Sequence, residues 1–293
     1  MRILFAGDEH PYSAYALKKV IELARHTWSD ITFLSVCPPV SSPQDGSFPL
    51  PGRHPLIQAL DRYRDEFLDV LGNTDSPYSL DRQDYEWIPL RNGSWEEMKV
   101  CRGMKKNVNI RLRTGIAETE ILNEAAADES DLIVLGCSKG SRSVWETLPQ
   151  VPQKVTGGAG CSVLLTKEDK PVKRILACID QVSVSQESLE MINQLVTIYN
   201  AQLELVGLTK DGGAKPEAYT RLIQVGDYYS DRGIPVNARL ADMSQLEAMI
   251  SNDTREDLLA FWMGKKSLLT ILFPRDWVER FVTASQSSIL VLR

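Results

Sequence analysis

The sequence predicts an α/β protein built from two tandem copies of one domain, each with a parallel sheet flanked by helices. Three observations carry this. Short apolar runs of strand length alternate with stretches of helical period along the chain. The joints between them are short, and a strand, helix and strand joined in this way form a βαβ unit, which requires a parallel sheet. Finally, Arg174-Ile175-Leu176-Ala177-Cys178-Ile179-Asp180 repeats Arg2-Ile3-Leu4-Phe5-Ala6-Gly7-Asp8 at Arg, Ile, Leu and Asp, so the pattern restarts in the second half.

The elements follow in order. Arg2 to Ala6 is an apolar run that ends at Gly7-Asp8. Ala14, Leu17, Val20, Ile21 and Ala24 recur near a 3.6-residue period and predict a helix. Ile31 to Val36 is the second strand, Val108 to Leu112 the next, and Gly115 breaks it. Ile116 to Ala127 is rich in Ala and Glu and helical, and Asp131 to Gly136 is a buried strand. Val144 to Val155 predicts a helix that Pro149 and Pro152 must bend or shorten. Ser162 to Leu165 closes the first copy.

Lys167 to Lys173 is charged, carries Pro171 and predicts a linker. The domains are therefore 1–168 and 173–293. In the second copy, Ser188–Tyr199, Pro216–Asp231, Leu246–Ile250 and Trp277–Ala284 read as helices. Leu203–Leu208, Val236–Leu240, Leu258–Trp262 and Ile289–Leu292 read as strands. Gly157-Gly158-Ala159-Gly160 leads into a strand where a phosphate-binding P-loop leads into a helix, so it is a flexible joint. Gly212-Gly213 is a surface turn.

The first copy is longer by an insertion at about 73–106. Ser94-Trp95-Glu96-Glu97 has the capping-box pattern, which predicts a helix through Cys101. Two readings stay open for the insertion: an extra helix packed on its own domain, or a docking surface whose Trp and Tyr residues anchor a protein partner.

Composition bounds the function. Hydrophobic residues make up 43% and charged residues 25%, as in an ordinary globular chain. The net charge of −6 argues against sequence-independent nucleic-acid binding, which needs a basic face. No apolar run is long enough to cross a bilayer, and no secretory leader is evident, so the expectation is a cytoplasmic protein with no membrane partner. Cys37, Cys101, Cys137, Cys161 and Cys178 are odd in number and widely spaced, which predicts neither a disulfide framework nor a zinc site. Cys37 and Cys178 read as core residues, and Cys137 as a buried, inert thiol.

No catalytic constellation emerges. Gly136-Cys137-Ser138-Lys139-Gly140 has the shape of a nucleophile elbow. However, the three histidines, His10, His26 and His54, all precede it, and a hydrolase of that class places its His after the nucleophile. The expectation is a binding module, not an enzyme, with no metal. His10, after Asp8, reads as a surface residue capping the following helix.

The opening strands ending in Asp8 and Asp180, the helix start Ser13-Ala14-Tyr15-Ala16-Leu17, the run Leu132 to Gly136, and the closing Ser-Val-Leu-Leu and Ser-Ile-Leu-Val-Leu strands together resemble the universal stress protein family in its tandem two-domain form. The resemblance implies Rossmann-like (adenine nucleotide alpha hydrolase-like) domains with five-stranded parallel sheets. Their last strands would pair within the chain as an intrachain pseudo-dimer. It also implies a stress-response or signalling module that binds ATP, AMP or another adenine nucleotide in domain 1, with a protein partner and a homodimer of the tandem chain.

By that resemblance Asp8 lies at adenine, and Gly136, Lys139, Gly140, Ser141 and Ser143 lie at phosphate. The family's phosphate motif is G-x2-G-x9-G-[ST]. Gly136 fits its first position, but Lys139 stands at the second, with Gly140 displaced by one residue. Pro149 and Gln150 occupy the last two positions, and proline has no N–H to donate. Lys139, Ser141, Arg142 and Ser143 still offer charge and hydroxyls to an anion. In the second copy Gly264 fits the first position, followed by Lys265, Lys266 and Ser267, and no later glycine appears. The second domain is therefore expected to bind less well. The alternative is a degenerate member that binds no nucleotide and acts as a scaffold through protein contacts. A slow ATP hydrolase is disfavoured by the same broken motif.

Overall fold

The structure is a computed structural model. It describes residues 1–39, 54–73, 75–79, 85–90, 93–99, 105–137, 151–179, 184–209, 216–242, 244, 248, 257–262, 282 and 285–293. The chain forms two compact units, Met1–Cys137 and Ser138–Arg293.

In the first unit β1 (Arg2–Ala6), β2 (Asp30–Cys37), β5 (Val108–Thr114) and β6 (Leu132–Gly136) form a parallel sheet in the order β6-β1-β2-β5. Every residue of β6 is buried, which accounts for its unbroken apolar sequence. The chain steps from β1 to β2 and β5 on one side, then returns to place β6 on the other side of β1. The strand order therefore reverses between β1 and β6.

Among the described residues, three helices cover this sheet: α1 (Pro11–Thr27), α2 (Pro55–Leu71) and α3 (Ala117–Ala127). Successive strand residues point to opposite faces. Phe33 stacks edge-on with Phe67 of α2, while its neighbour Thr32 donates to Asp128 at the end of α3. Helices α2 and α3 therefore lie on opposite faces. Phe5, Phe33, Phe67 and Tyr78 form a chain of edge-to-face rings beneath α2.

Helix α2 was not among the expected elements. Its apolar residues Ile57, Leu60, Tyr63, Phe67 and Leu71 repeat at helical spacing and are buried. Pro55 opens it, and His54 Nδ1 caps it by accepting from the Leu56 N–H at 3.3 Å.

The insertion corrects a second expectation. It forms an antiparallel pair of strands, β3 (Tyr85–Pro89) and β4 (Trp95–Lys99), and β4 adds to the edge of β5. No helix begins at Ser94. Its hydroxyl instead accepts the Thr114 N–H of β5 at 3.3 Å, and Gly93 turns the chain with φ 75°, a left-handed conformation that suits glycine. Trp95 and Glu97 are buried and Met98 is exposed, which is the two-residue period of a strand. Residues 101–104, where the helix was expected to end, lie outside the described residues.

The aromatic residues of the insertion face its own domain. Trp87 Nε1 donates to Asp61 of α2 at 3.2 Å, and the Arg64 guanidinium lies 4.4 Å from the Tyr85 ring centre. Arg64 also pairs with Glu97, whose side chain is fully buried. On the other face Glu96 pairs with Arg111 at 3.4 Å, and Arg111 and Arg113 join Glu124 of α3.

The second unit contains α4 (Val151–Gly158), β7 (Ser162–Thr166), β8 (Arg174–Ile179), α5 (Gln186–Tyr199), β9 (Gln202–Thr209), α6 (Pro216–Ser230), β10 (Val236–Asp242), β11 (Asp257–Trp262) and β12 (Ser288–Leu292). Its five parallel strands run in the order β10-β9-β8-β11-β12, and the first four repeat the order β5-β2-β1-β6. The closing strands β7 and β12 pair antiparallel, with Leu164 opposite Leu290. The repeated arginine has the same work in both units. Arg2 binds Glu129 at 2.6 Å, and Arg174 binds Glu204 at 2.8 Å and Asp257.

The described part of helix α4 starts at Val151, and Pro152 is its second residue. Gly157 and Gly158 end this helix rather than forming a free joint. Within the expected linker, Lys167 is buried and its ammonium group donates to the carbonyls of Val282 and Ser285. The expected start of α4 at 144–150, the helices at 246–250 and 277–284, and the turn at Gly212-Gly213 fall mainly or wholly outside the described residues. Among the described residues, no helix is long and apolar enough to cross a membrane.

Candidate functional site

In an open parallel sheet, ligands sit beyond the carboxyl ends of the strands where the strand order reverses. In the first unit that place lies between β1 and β6. Asp8 follows β1 and Gly136 ends β6, so the fold brings these two expected residues to neighbouring strand ends.

Gly7 fixes the approach. Its N–H donates to the Leu34 carbonyl at 2.9 Å, and its own carbonyl accepts from the Ser35 hydroxyl at 2.6 Å. A β-carbon on Gly7 would stand 2.7 Å from the Phe5 ring and 3.3 Å from the Tyr63 ring. The chain then leaves the sheet at Asp8.

Asp8 is half-buried and held by several bonds from the chain itself. Its Oδ1 accepts the His10 N–H at 3.0 Å and the Ser13 hydroxyl at 2.8 Å. The same Ser13 hydroxyl accepts the Asp8 N–H at 3.0 Å. Asp8 Oδ2 accepts the Tyr12 hydroxyl, and the Asp8 carbonyl accepts the Tyr63 hydroxyl. Burial pushes the Asp8 carboxyl above its usual range, against the pull of these donors. Burial and the bond to Asp8 both raise the Tyr12 hydroxyl, and burial foremost, then the Asp8 charge, pushes Tyr63 up to about 12.

His10 occupies the position before α1, but its side chain makes no capping bond. The Asp8 carboxylate and the Ser13 hydroxyl organise this turn instead, which corrects the expected capping role of His10. Pro11 at the first helical position has no N–H to satisfy.

Gly136 meets α1 end-on. A β-carbon there would stand 2.5 Å from the Tyr12 carbonyl carbon and 2.8 Å from the Ser13 nitrogen. Only glycine lets β6 end this close to the first turn of α1. The thiol of Cys137, expected to be buried, is half-buried just beyond. Cys37 is half-buried at the end of β2, with its Sγ 3.0 Å from Thr114 Oγ1, rather than in the core. Cys178 is buried as expected, which pushes its thiol up.

Lys139, Gly140, Ser141 and Ser143, with Arg142, Pro149 and Gln150, lie outside the described residues. So do Asp180, Gly264, Lys265, Lys266 and Ser267 of the second copy. Among the described residues, no group of three or more His, Cys, Asp or Glu side chains is placed to hold a metal ion.

Sequence reasoning missed Tyr12 and Tyr63. Tyr12 was within reach, since it stands four residues after Asp8 on the first turn of α1. Tyr63 lies 55 residues from Asp8, and no spacing rule points to it.

No curated protein matches the chain. Over its full length the fold is similar to a universal stress protein from Archaeoglobus fulgidus DSM 4304, with a TM-score of 0.60, 14% identity, and coverage of 100% of this chain and 98% of that one. A functionally unknown protein from Pseudomonas aeruginosa PAO1 is similar at a TM-score of 0.59 and 14% identity, covering 100% and 92%. The cytoplasmic domain of a prokaryotic cation chloride cotransporter is similar at 0.52 and 10%, covering 99% and 94%. These likenesses describe the fold. The sequence model of the universal stress protein family matches residues 1–167, which span β1 to β7 and include both Asp8 and Gly136, and on that match the chain belongs to the universal stress protein family.

Proposed function

We propose that this protein is a cytoplasmic stress-response module whose first domain, residues 1–168, senses an adenine nucleotide, ATP or AMP, and which acts by binding, not by catalysis. One observation carries the reading: Asp8 and Gly136 stand at adjacent strand ends where the strand order reverses, with Gly136 packed flush on the first turn of α1. Asp8 would face the base. The chain from Gly136 through Lys139, Gly140, Ser141 and Ser143 would face the phosphates. A protein partner, or a second copy of the tandem chain, would receive the signal.

A second reading draws on a different observation. Both oxygens of the Asp8 carboxylate already have donors from the chain itself. A member whose site is closed in this way would work as a scaffold, with Leu90 and Met98 of the insertion exposed for protein contacts.

The experiment separates the two. The purified protein is denatured and the supernatant chromatographed for released nucleotide, and the folded protein is titrated calorimetrically with ATP, ADP and AMP. Nucleotide that is bound, and lost in Asp8→Asn, supports sensing. No heat at millimolar nucleotide supports the scaffold.

A further inference from the structure

The hydrogen bonds at Asp8 divide into two sets. Those to Oδ1 come from His10 N–H and Ser13, and they belong to the turn that starts α1. The bond to Oδ2 comes from Tyr12 alone among the described contacts. Tyr12 is buried, and its ring lies 5.6 Å from that of His10. Tyr63 holds the Asp8 carbonyl, so the residue is fixed from behind while Oδ2 faces Tyr12.

Asp8 is half-buried; a carboxylate oxygen has about two acceptor sites, and among the described residues Oδ1 already has two donors whereas Oδ2 has one. A ligand donor that reaches Asp8 is therefore expected at Oδ2, beside the Tyr12 hydroxyl. Replacing the Oδ1 donors would undo the start of α1. Replacing Tyr12 exchanges one donor for another and leaves the helix intact.

We propose that the Tyr12 hydroxyl is a built-in competitor for the ligand: it occupies Asp8 Oδ2 in the empty site, and a donor on the bound nucleoside displaces it. This rests on the nucleotide reading above and adds its regulation. The ligand class follows from the acceptor, since a carboxylate accepts but does not donate. The ligand presents an amine or hydroxyl donor at this point, as the exocyclic amine of adenine or a ribose hydroxyl does. Affinity is then set by the difference between two bonds to Oδ2, and the site responds only where nucleotide is abundant enough to outcompete Tyr12.

The test compares the full chain with Tyr12→Phe, which keeps the buried ring and removes only the competing hydroxyl. AMP and ATP are titrated calorimetrically into both. A hydrogen bond to a charged group is strong enough that its removal from the empty state should tighten binding about ten-fold. Tyr78→Phe removes another buried hydroxyl, one that donates to the Ser29 carbonyl at 2.6 Å, and should leave affinity unchanged. If Tyr12→Phe fails to fold, Tyr12→Met removes the same hydroxyl and should shift affinity in the same direction.

Tighter binding in Tyr12→Phe, including binding that appears only in that variant, supports the competitor. Binding by both proteins, with equal or weaker affinity in Tyr12→Phe, overturns the competitor and leaves the nucleotide reading standing. Binding by neither overturns both.

Discussion

Gly136 and Tyr12 touch backbone to backbone: a β-carbon on the glycine would fall 2.5 Å from the carbonyl carbon of the tyrosine. This contact ties the end of β6 to the first turn of α1. Tyr12 carries the hydroxyl that reaches Asp8, so one residue joins the two halves of the candidate site.

Gly136→Ala forces that contact apart. Overpacking of this kind costs about 1–3 kcal/mol. The expected result is a clear fall in midpoint on thermal melting, with weaker nucleotide binding because the first turn of α1 moves. An unchanged melt would mean that the strand end has slack the packing does not indicate.

Arg64 pins the insertion to α2 through Glu97, whose side chain is fully buried. Removing one partner of a buried ion pair costs about 3–5 kcal/mol, whereas replacing both with apolar groups is often close to neutral. Arg64→Met should therefore lower stability in urea unfolding by about 3 kcal/mol. The double variant Arg64→Met, Glu97→Leu should recover part of it, since Arg64 also pairs with Asp61 at 3.1 Å and Asp65 at 2.9 Å. Equal losses in the two proteins would show that the ion pair is not what holds the hairpin.

The Asp8 carboxyl lies above its ordinary value of 3.8, chiefly because it is buried. Folding therefore favours its protonated form, and the stability this lends is complete below 3.8 and is lost as pH rises through the folded value. Asp8→Asn cannot titrate. The midpoint of the wild-type protein minus that of Asp8→Asn should be highest in acid and fall toward neutral pH. Thermal melts of both proteins from acid to neutral pH check this. A difference that grows with pH would mean that the donors from Tyr12, Ser13 and His10 outweigh burial.

Much of this architecture was legible in the sequence, for physical reasons. Parallel strands are covered on both faces, so β1, β6 and β11 read as unbroken apolar runs. The repeat from Arg2 to Asp8 and from Arg174 to Asp180 exposed the second copy, and both arginines proved to hold acidic partners. The insertion misled because Ser94 to Glu97 has the letters of a capping box. Its Tyr, Trp and Ile residues favour strands, and the alternation from Trp95 to Met98 has period two. Helix α2 had its signals in place, with His54 and Pro55 at its start and Ile57, Leu60, Tyr63 and Phe67 on one face. The hold of Tyr63 on Asp8 was not legible, because it exists only once α2 has packed over Phe5 and Phe33.

The central claim is that the first domain takes an adenine nucleotide at Asp8. Calorimetric titration of ATP and AMP into the full chain and into Asp8→Asn tests it most directly. The account predicts saturable binding to the wild-type chain that is lost or weakened at least ten-fold when Oδ2 of Asp8 becomes an amide. Binding of equal strength in both proteins, or none in either at millimolar nucleotide, would contradict it.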